Sequence, residues 1–180
     1  LRGQRLELGE VEHALRSQPG VAEAEFDADP EGILRALYCS PDTPRHSPAL
    51  GKSLSEGGGW IGHLGVPKVQ PGWLSDEMLA YYLEAYRHSG FAGGINYYRN
   101  LDDNWRELLP LRNQVIGCPV LFLAGCDDMV IQGADETALR EMMGARVPQL
   151  EIVLYPKIGH WLQNEAAEQV NVDLLAFATA

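Results

Sequence analysis

Two short apolar runs near the C-terminal end, each followed by a helix pattern, constrain the fold most strongly. Residues 120–124 and 152–155 are uninterrupted and apolar, which is typical of strands buried on both faces. Helix patterns follow them at residues 135–143 and 165–177. Strands that alternate with helices form parallel sheets, so this region predicts an α/β fold. Its loops at the carboxyl ends of the strands are where such sheets bind ligands.

The composition permits a core and argues against polyanionic partners. The chain has 180 residues, 46% of them hydrophobic, and a formal net charge of -11. Nucleic acids and anionic membranes bind clusters of Lys and Arg, so we expect neither as a partner. No apolar run reaches the roughly eighteen residues of a spanning helix, and the first residues lack the apolar centre of a secretion signal. We therefore expect no membrane span and a cytoplasmic location.

The three cysteines, Cys39, Cys118 and Cys126, are an odd number at wide spacing. This pattern fits neither a disulfide framework nor a C-x-x-C metal site, so we predict no metal centre. Cys126 lies beside an acidic pair and could serve as a nucleophile. A loop cysteine next to a strand is more often a packing residue, however, and we do not assign it to the site.

The sequence divides into three segments of different character. Residues 1–20 predict a strand and a short helix that ends at Pro19-Gly20. Residues 21–112 are rich in turn residues and helix signals, and residues 113–180 carry the alternating strands and helices. We therefore predict a short N-terminal segment, a helical middle region with a long loop, and a C-terminal α/β region.

The middle segment contains two clear helix starts. Asp29 caps one helix, because Asp accepts backbone hydrogen bonds and Pro follows it at the first helical position. Ser75 caps another, which carries apolar and tyrosine side chains at helical spacing as far as Ser89. Between them, residues 40–72 predict a long irregular loop. Residues 57–59 are glycines without a following Lys-Ser or Lys-Thr, which indicates a flexible loop and no phosphate site.

A polar and aromatic block covers residues 93–100 and is followed by Trp105. Periodicity alone does not explain this block, which contains Tyr97 and Tyr98. We therefore predict that this block contacts a substrate.

Asp128 and His160 come shortly after the two predicted strands. Residues at the ends of adjacent parallel strands can meet, so Asp128 can hydrogen-bond one imidazole nitrogen and leave the other to take a proton from water. Asp128 could instead be only a cap or turn residue, and Asp127 competes with it as the acid. The remaining histidines have no acidic partner at a comparable strand end and are predicted to be exposed: His13, His46, His63 and His88.

With these motifs in place, residues 19–177 resemble the cap and C-terminal half of soluble epoxide hydrolases in the α/β-hydrolase superfamily. The matching stretches are residues 19–25, 89–91, 94–100, 125–128 and 159–161. The resemblance implies a partial α/β-hydrolase fold, with a helical cap followed by the C-terminal strands and helices of the sheet.

The resemblance also implies a reaction. In that family an aspartate attacks an epoxide carbon, two cap tyrosines hydrogen-bond the ring oxygen, and an acid–histidine pair activates water to hydrolyse the ester to a vicinal diol. By motif position Tyr98 matches one cap tyrosine, Asp128 the acid and His160 the base, while Tyr97 matches a wall residue. The substrate would be a small apolar epoxide, and neither a cofactor nor a metal is needed.

The sequence departs from this family in three ways. It contains no G-x-S-x-G, G-x-C-x-G or G-x-D-x-G elbow for a nucleophile. Its first tyrosine is Tyr38, so one donor to the ring oxygen would be absent. Residues 1–12 resemble the late hinge motif of nonribosomal peptide synthetase adenylation domains, which suggests a fusion or chimera joined near residues 19–24.

Three functions follow as expectations. The first is an epoxide hydrolase fragment that keeps Tyr98, Asp128 and His160 but is inactive alone. The second is a non-catalytic remnant or fusion in a nonribosomal peptide synthetase, and the third is a haloalkane or haloacid dehalogenase-like hydrolase. An exposed sheet edge or the cap could also form a dimer.

Overall fold

The computed structural model of the protein describes residues 25–41, 59–65, 67–128, 130–131 and 134–179. The chain divides into two compact units, Leu1–Arg106 and Glu107–Ala180. Residues 1–20, with the adenylation-like segment and His13, lie outside the described residues, as does His46. No helix among the described ranges is long and apolar enough to cross a membrane.

The described part of the first unit is helical. Its helices are α1 (Pro30–Leu37), α2 (Gly59–Leu64), α3 (Asp76–Ser89), α4 (Ala92–Arg99) and α5 (Leu101–Leu108), the last of which runs past the unit boundary into a short 3₁₀ turn at Leu109–Leu111. Asp29 accepts a hydrogen bond from the Gly32 N–H at 2.9 Å, and Ser75 accepts one from the Met78 N–H at 3.2 Å. Both predicted helix starts are therefore observed with their caps.

The core of the first unit joins α1, α3 and α4. Aromatic packing connects α3 to the start of α4, since Tyr86 stacks on Phe91 with ring centroids 4.3 Å apart. The Asp27 carboxylate also accepts the Phe91 N–H at 3.1 Å. These contacts fix the start of α4, the helix that carries Tyr98. The buried members of the core are Phe26, Ile33, Leu34, Leu74, Leu79, Leu83, Phe91 and Ile95.

Two segments of this unit contain helices that the sequence did not predict. Residues 40–72 are not irregular throughout, because α2 begins at Gly59, the last glycine of the predicted flexible run. The block at residues 93–100 is largely helical, since α4 covers most of it. Glycines weaken helices, but Ile61 packs against the core and Ile95 is buried within it. Tertiary packing thus stabilises helices that local propensity does not favour.

The second unit has the α/β order predicted from its sequence. It contains β1 (Val120–Gly125), α6 (Glu136–Met143), β2 (Leu150–Tyr155), α7 (Leu162–Glu165) and α8 (Ala167–Thr179). The two strands are parallel, with Val120 opposite Leu150 and Gly125 opposite Tyr155. The closing helix predicted as one element is divided at Ala166 into α7 and α8.

Two apolar clusters stabilise this unit. Leu139 of α6 packs with Leu150 and Ile152 of β2, and Tyr155 packs with Val170 of α8. The first four residues of β1 are only half-buried, although the sequence predicted burial on both faces. Among the described residues β2 is the only strand that pairs with β1, so β1 is apolar but only partly covered.

Candidate active site

Asp128 and His160 meet at the carboxyl ends of β1 and β2. The imidazole Nδ1 of His160 lies 3.1 Å from Oδ2 and 3.2 Å from Oδ1 of Asp128. A carboxylate accepts hydrogen bonds, so this contact favours the tautomer that carries its proton on Nδ1 and leaves Nε2 to accept one. The Asp128 side chain is 9% exposed and that of His160 is 53% exposed. A buried carboxylate thus orients an accessible imidazole.

Asp128 also closes the turn after β1. Its Oδ1 accepts the Val130 N–H at 2.8 Å, and its own N–H donates to the Gly125 carbonyl at 3.1 Å. Asp128 therefore has the turn role considered from the sequence and also contacts His160, while its role as the acid stays a prediction. Asp127 is exposed and contributes a backbone bond instead, from its N–H to the Ile158 carbonyl at 2.9 Å.

Gly125 allows the two loops of the site to approach each other. A Cβ atom at this position would lie 2.1 Å from the Ile158 carbonyl oxygen and 2.4 Å from the Gly159 carbonyl oxygen. Side chains do not fit at such distances, so only glycine permits this packing. Lys157 in the same loop has a φ of 64°, the left-handed region that non-glycine residues rarely adopt.

Glu165 contacts the loop that carries His160, a contact that its sequence pattern did not predict. Its carboxylate accepts the Gly159 N–H at 2.9 Å and the Trp161 N–H at 3.1 Å. A Glu placed a few residues after a loop can reach back to that loop's N–H groups, as in a capping box. That signal could have found Glu165, but the sequence does not reveal that the loop holds the base.

Tyr98 lies on α4 of the first unit and is 39% exposed. Its ring contacts Tyr97 edge-on, with centroids 5.8 Å apart, and Tyr97 is 70% exposed. The structure therefore brings Asp128 and His160 together, while Tyr98 belongs to the other unit.

Other titratable side chains near the strand ends are structural or exposed. Tyr155 at the end of β2 donates a hydrogen bond to the Asp173 carboxylate on α8. Burial, together with this bond, raises the pKa of Tyr155 to about 12. Cys126 is exposed, and its N–H donates to the Tyr155 carbonyl at 2.9 Å. Within the described ranges no group of three His, Cys, Asp or Glu side chains could hold a metal ion.

A family model matches the last part of the first unit and nearly all of the second. Residues 78–176, more than half of the chain, match the model of the dienelactone hydrolase family. The chain belongs to this family. Its fold is a partial α/β-hydrolase fold, as the sequence predicted, because the solved structures it resembles are α/β-hydrolases of about twice its length.

Several relatives of this α/β-hydrolase chain are epoxide hydrolases. It is 36% identical to epoxide hydrolase A of Mycobacterium tuberculosis over 163 residues, which cover 90% of the chain and 50% of that protein. It is 30% identical to epoxide hydrolase 1 of Siraitia grosvenorii over 175 residues, covering 95% of the chain and 53% of that protein. These matches confirm the resemblance inferred for residues 19–177.

A solved structure agrees with these relatives. The crystal structure of epoxide hydrolase A from Mycobacterium thermoresistibile superposes with a TM-score of 0.75 at 32% identity, covering 92% of the chain and 50% of that structure. The chain thus spans about half the length of the relatives it matches. The adenylation-like character of the first residues stays a prediction.

Proposed function

We propose that this chain supplies the acid and base of an epoxide hydrolase. The observation that carries the proposal is the contact between Asp128 and His160 Nδ1 at the ends of two adjacent parallel strands. The similarity to epoxide hydrolases supports the choice of substrate class. The sequence contains no nucleophile elbow, so the nucleophile is not assigned to a residue of this chain.

The proposed reaction has two steps. A carboxylate attacks one epoxide carbon, the C–O bond to the ring oxygen breaks, and that oxygen becomes a hydroxyl by taking a proton from solvent. Tyr98 donates a hydrogen bond to the ring oxygen as its negative charge develops. The product of this step is an ester between the carboxylate and the opened substrate.

His160 acts in the second step. Its Nε2 takes a proton from water while the water oxygen attacks the carbonyl carbon of the ester. Asp128 stabilises the imidazolium that forms and keeps the ring in the correct tautomer. The ester C–O bond then breaks, the departing oxygen receives the proton from His160, and a vicinal diol is released. The carboxylic acid that remains gives its proton to solvent, which restores the carboxylate.

These 180 residues contain no nucleophile elbow and are expected to form no diol by themselves. The test therefore uses the gene product that contains them together with a nucleophile, and a monosubstituted epoxide. Diol formation is measured by chromatography for His160→Gln and Asp128→Asn. We expect the turnover rate to fall by about 10²–10⁴-fold in both variants, the range for loss of a general base. His160→Gln should also accumulate the ester, seen by mass spectrometry as protein mass increased by that of the substrate.

Matched controls come from the chain itself. His88 is exposed on α3, and Asp127 is the exposed neighbour of the proposed acid. His88→Gln and Asp127→Asn should therefore hydrolyse the epoxide at nearly the normal rate. Full diol formation by His160→Gln would overturn the proposal.

Tyr98 is tested with its own neighbour as control. Tyr98→Phe should slow ester formation, whereas Tyr97→Phe should leave it nearly unchanged.

Turnover of a haloalkane without turnover of any epoxide would favour the dehalogenase-like alternative. A folded protein that acts on neither would favour a non-catalytic role such as a peptide synthetase remnant.

A second candidate is lactone hydrolysis, which the dienelactone hydrolase match favours. A lactone is already an ester, so the same acid–base pair could serve its hydrolysis without a donor for an epoxide oxygen. Lactone ring opening that falls in His160→Gln but not in Tyr98→Phe would support this candidate over epoxide hydrolysis.

A further inference from the structure

The carboxylate of Glu165 bonds to the backbone on both sides of His160. Oε2 accepts the Gly159 N–H and Oε1 accepts the Trp161 N–H, so both carboxylate oxygens are used. Hydrogen bonds to an ionised acceptor are about twice as strong as those between neutral groups. The peptide groups before and after the base are therefore fixed by one half-buried side chain.

The peptide group that joins Ile158 to Gly159 is bonded at both of its polar atoms. Its carbonyl oxygen accepts the Asp127 N–H at 2.9 Å, and its N–H donates to Glu165 at 2.9 Å. Asp127 precedes the acid in the chain. Glu165 thus completes a line of hydrogen bonds that runs to α7. The line starts in the loop after β1, residues 126–128 (the acid loop), and passes through the loop after β2, residues 156–161 (the base loop).

We propose that Glu165 is a positioning residue that holds the imidazole of His160 against Asp128. It acts through the backbone and does not contact the substrate. The proposal rests on the catalytic role proposed for Asp128 and His160, which it deepens by naming what fixes their geometry. Small displacements matter, because an error of about 1 Å in a catalytic group can cost about 10²-fold in rate.

The competing explanation is that Glu165 only caps α7. Trp161 is the N-cap residue of that helix, and a Glu that reaches back to the N-cap N–H resembles half of a capping box. Gln serves equally well in that role. Gln has one acceptor oxygen, however, and its amide group would face the second N–H as a donor. Glu165→Gln therefore distinguishes two roles. A helix cap can be replaced by Gln, whereas a carboxylate that accepts hydrogen bonds from both the Gly159 and Trp161 N–H groups cannot.

The experiment compares Glu165→Gln with two controls in the gene product that contains this chain. Glu168→Gln changes an exposed carboxylate one turn further on, and Asp135→Ala removes the N-cap of α6 without touching the base loop. Four quantities are measured: the proton resonance of His160 Nδ1–H, the Tm, and the kcat and KM for the epoxide. The resonance reports the Asp128 contact whether or not the protein is active.

We expect Glu165→Gln to shift or lose the Nδ1–H resonance and to lower kcat by about 10- to 100-fold with KM little changed. Glu168→Gln should change none of these quantities. Asp135→Ala should lower the Tm but keep the resonance and kcat. If Glu165→Gln fails to fold, Glu165→Asp keeps the charge but is one methylene shorter, and the same loss of resonance is expected.

An unchanged His160 resonance in Glu165→Gln would overturn the proposal. If the Tm were lower at the same time, Glu165 would be only a helix cap. A shifted resonance in a protein that hydrolyses no epoxide would support positioning of the pair and count against the proposed function. The two proposals therefore fail in different measurements.

Discussion

At the scale of single residues, Gly125 determines how closely the acid and base loops approach. The hydrogen atom of glycine leaves room for the carbonyl oxygens of Ile158 and Gly159, which a Cβ atom would meet at 2.1 and 2.4 Å. These are backbone atoms and cannot rotate away as the end of a flexible side chain could. Any larger residue must move the base loop.

We predict that Gly125→Ala lowers the free energy of unfolding by about 1–3 kcal/mol, the usual cost of overpacking. It should also shift the His160 Nδ1–H resonance, because the loop that carries His160 is displaced. Urea unfolding and proton NMR measure the two effects. Gly117→Ala is the control, since a Cβ there has nothing within 4 Å, and it should be neutral or slightly stabilising. Equal stability of the two variants would contradict this account.

At the scale of secondary structure, α3 shows how a local signal and the core act together. Ser75 caps its N-terminus, while Leu79 and Leu83 on one face are buried in the core of the first unit. Gly90, with a φ of 65°, ends the helix, and the packing of Tyr86 on Phe91 carries the chain into α4. The cap sets where the helix begins, and the apolar face sets where it packs.

Ser75→Ala should therefore lower the free energy of unfolding by about 1 kcal/mol, because the Met78 N–H loses its acceptor. Ser89 is a matched control at the other end of the same helix. Its hydroxyl is exposed and bonds to the adjacent Gly90 carbonyl, so Ser89→Ala should change stability by less than about 0.5 kcal/mol. Urea unfolding followed by circular dichroism compares the two variants. A larger loss in Ser89→Ala would show that the cap is not what stabilises the start of α3.

At the scale of the whole molecule, each unit has its own core and each contains a tyrosine with a raised pKa. Burial raises the pKa of Tyr38 in the first unit to about 12, with smaller contributions from Tyr86 and Tyr82. Burial and the bond to Asp173 do the same for Tyr155, which is 8% exposed. Both phenols are more readily ionised in the unfolded chain, where the ordinary pKa is 10.0.

The sign of the resulting pH dependence follows from proton binding. Between pH 10 and about 12 the folded protein retains protons that the unfolded chain has lost, so its stability falls as pH rises. Below pH 10 this contribution is fully present. We predict that Tyr155→Phe shows a smaller loss of stability between pH 9 and pH 11 than the unmodified protein, measured by urea unfolding. Tyr81→Phe, at an exposed position, should keep the full loss, and an equal slope in Tyr155→Phe would contradict the prediction.

Local signals predicted the elements well where they agree with the packing. Asp29 and Ser75 were identified as caps from residue type alone, because capping acts over three residues of chain. The glycine-rich start of α4 was missed, because Ile95 gains its stability from a core that its neighbours in sequence do not reveal. The partial exposure of β1 was not predicted for the same reason. An apolar strand can be buried on both faces, but its neighbours in the tertiary structure decide how much of it is buried.

The sequence by itself determined the alternation of strands and helices in the second unit, the α/β class, and the two residue types that face each other at the strand ends. Only the tertiary structure decided that Asp128 and not Asp127 contacts His160, and that Gly125 lets the two loops approach each other. It also decided that Glu165 bonds to the backbone on both sides of His160. Periodicity and caps act between residues a few positions apart, whereas these contacts depend on how two parallel strands about thirty residues apart are aligned. Their alignment is a property of the packed sheet.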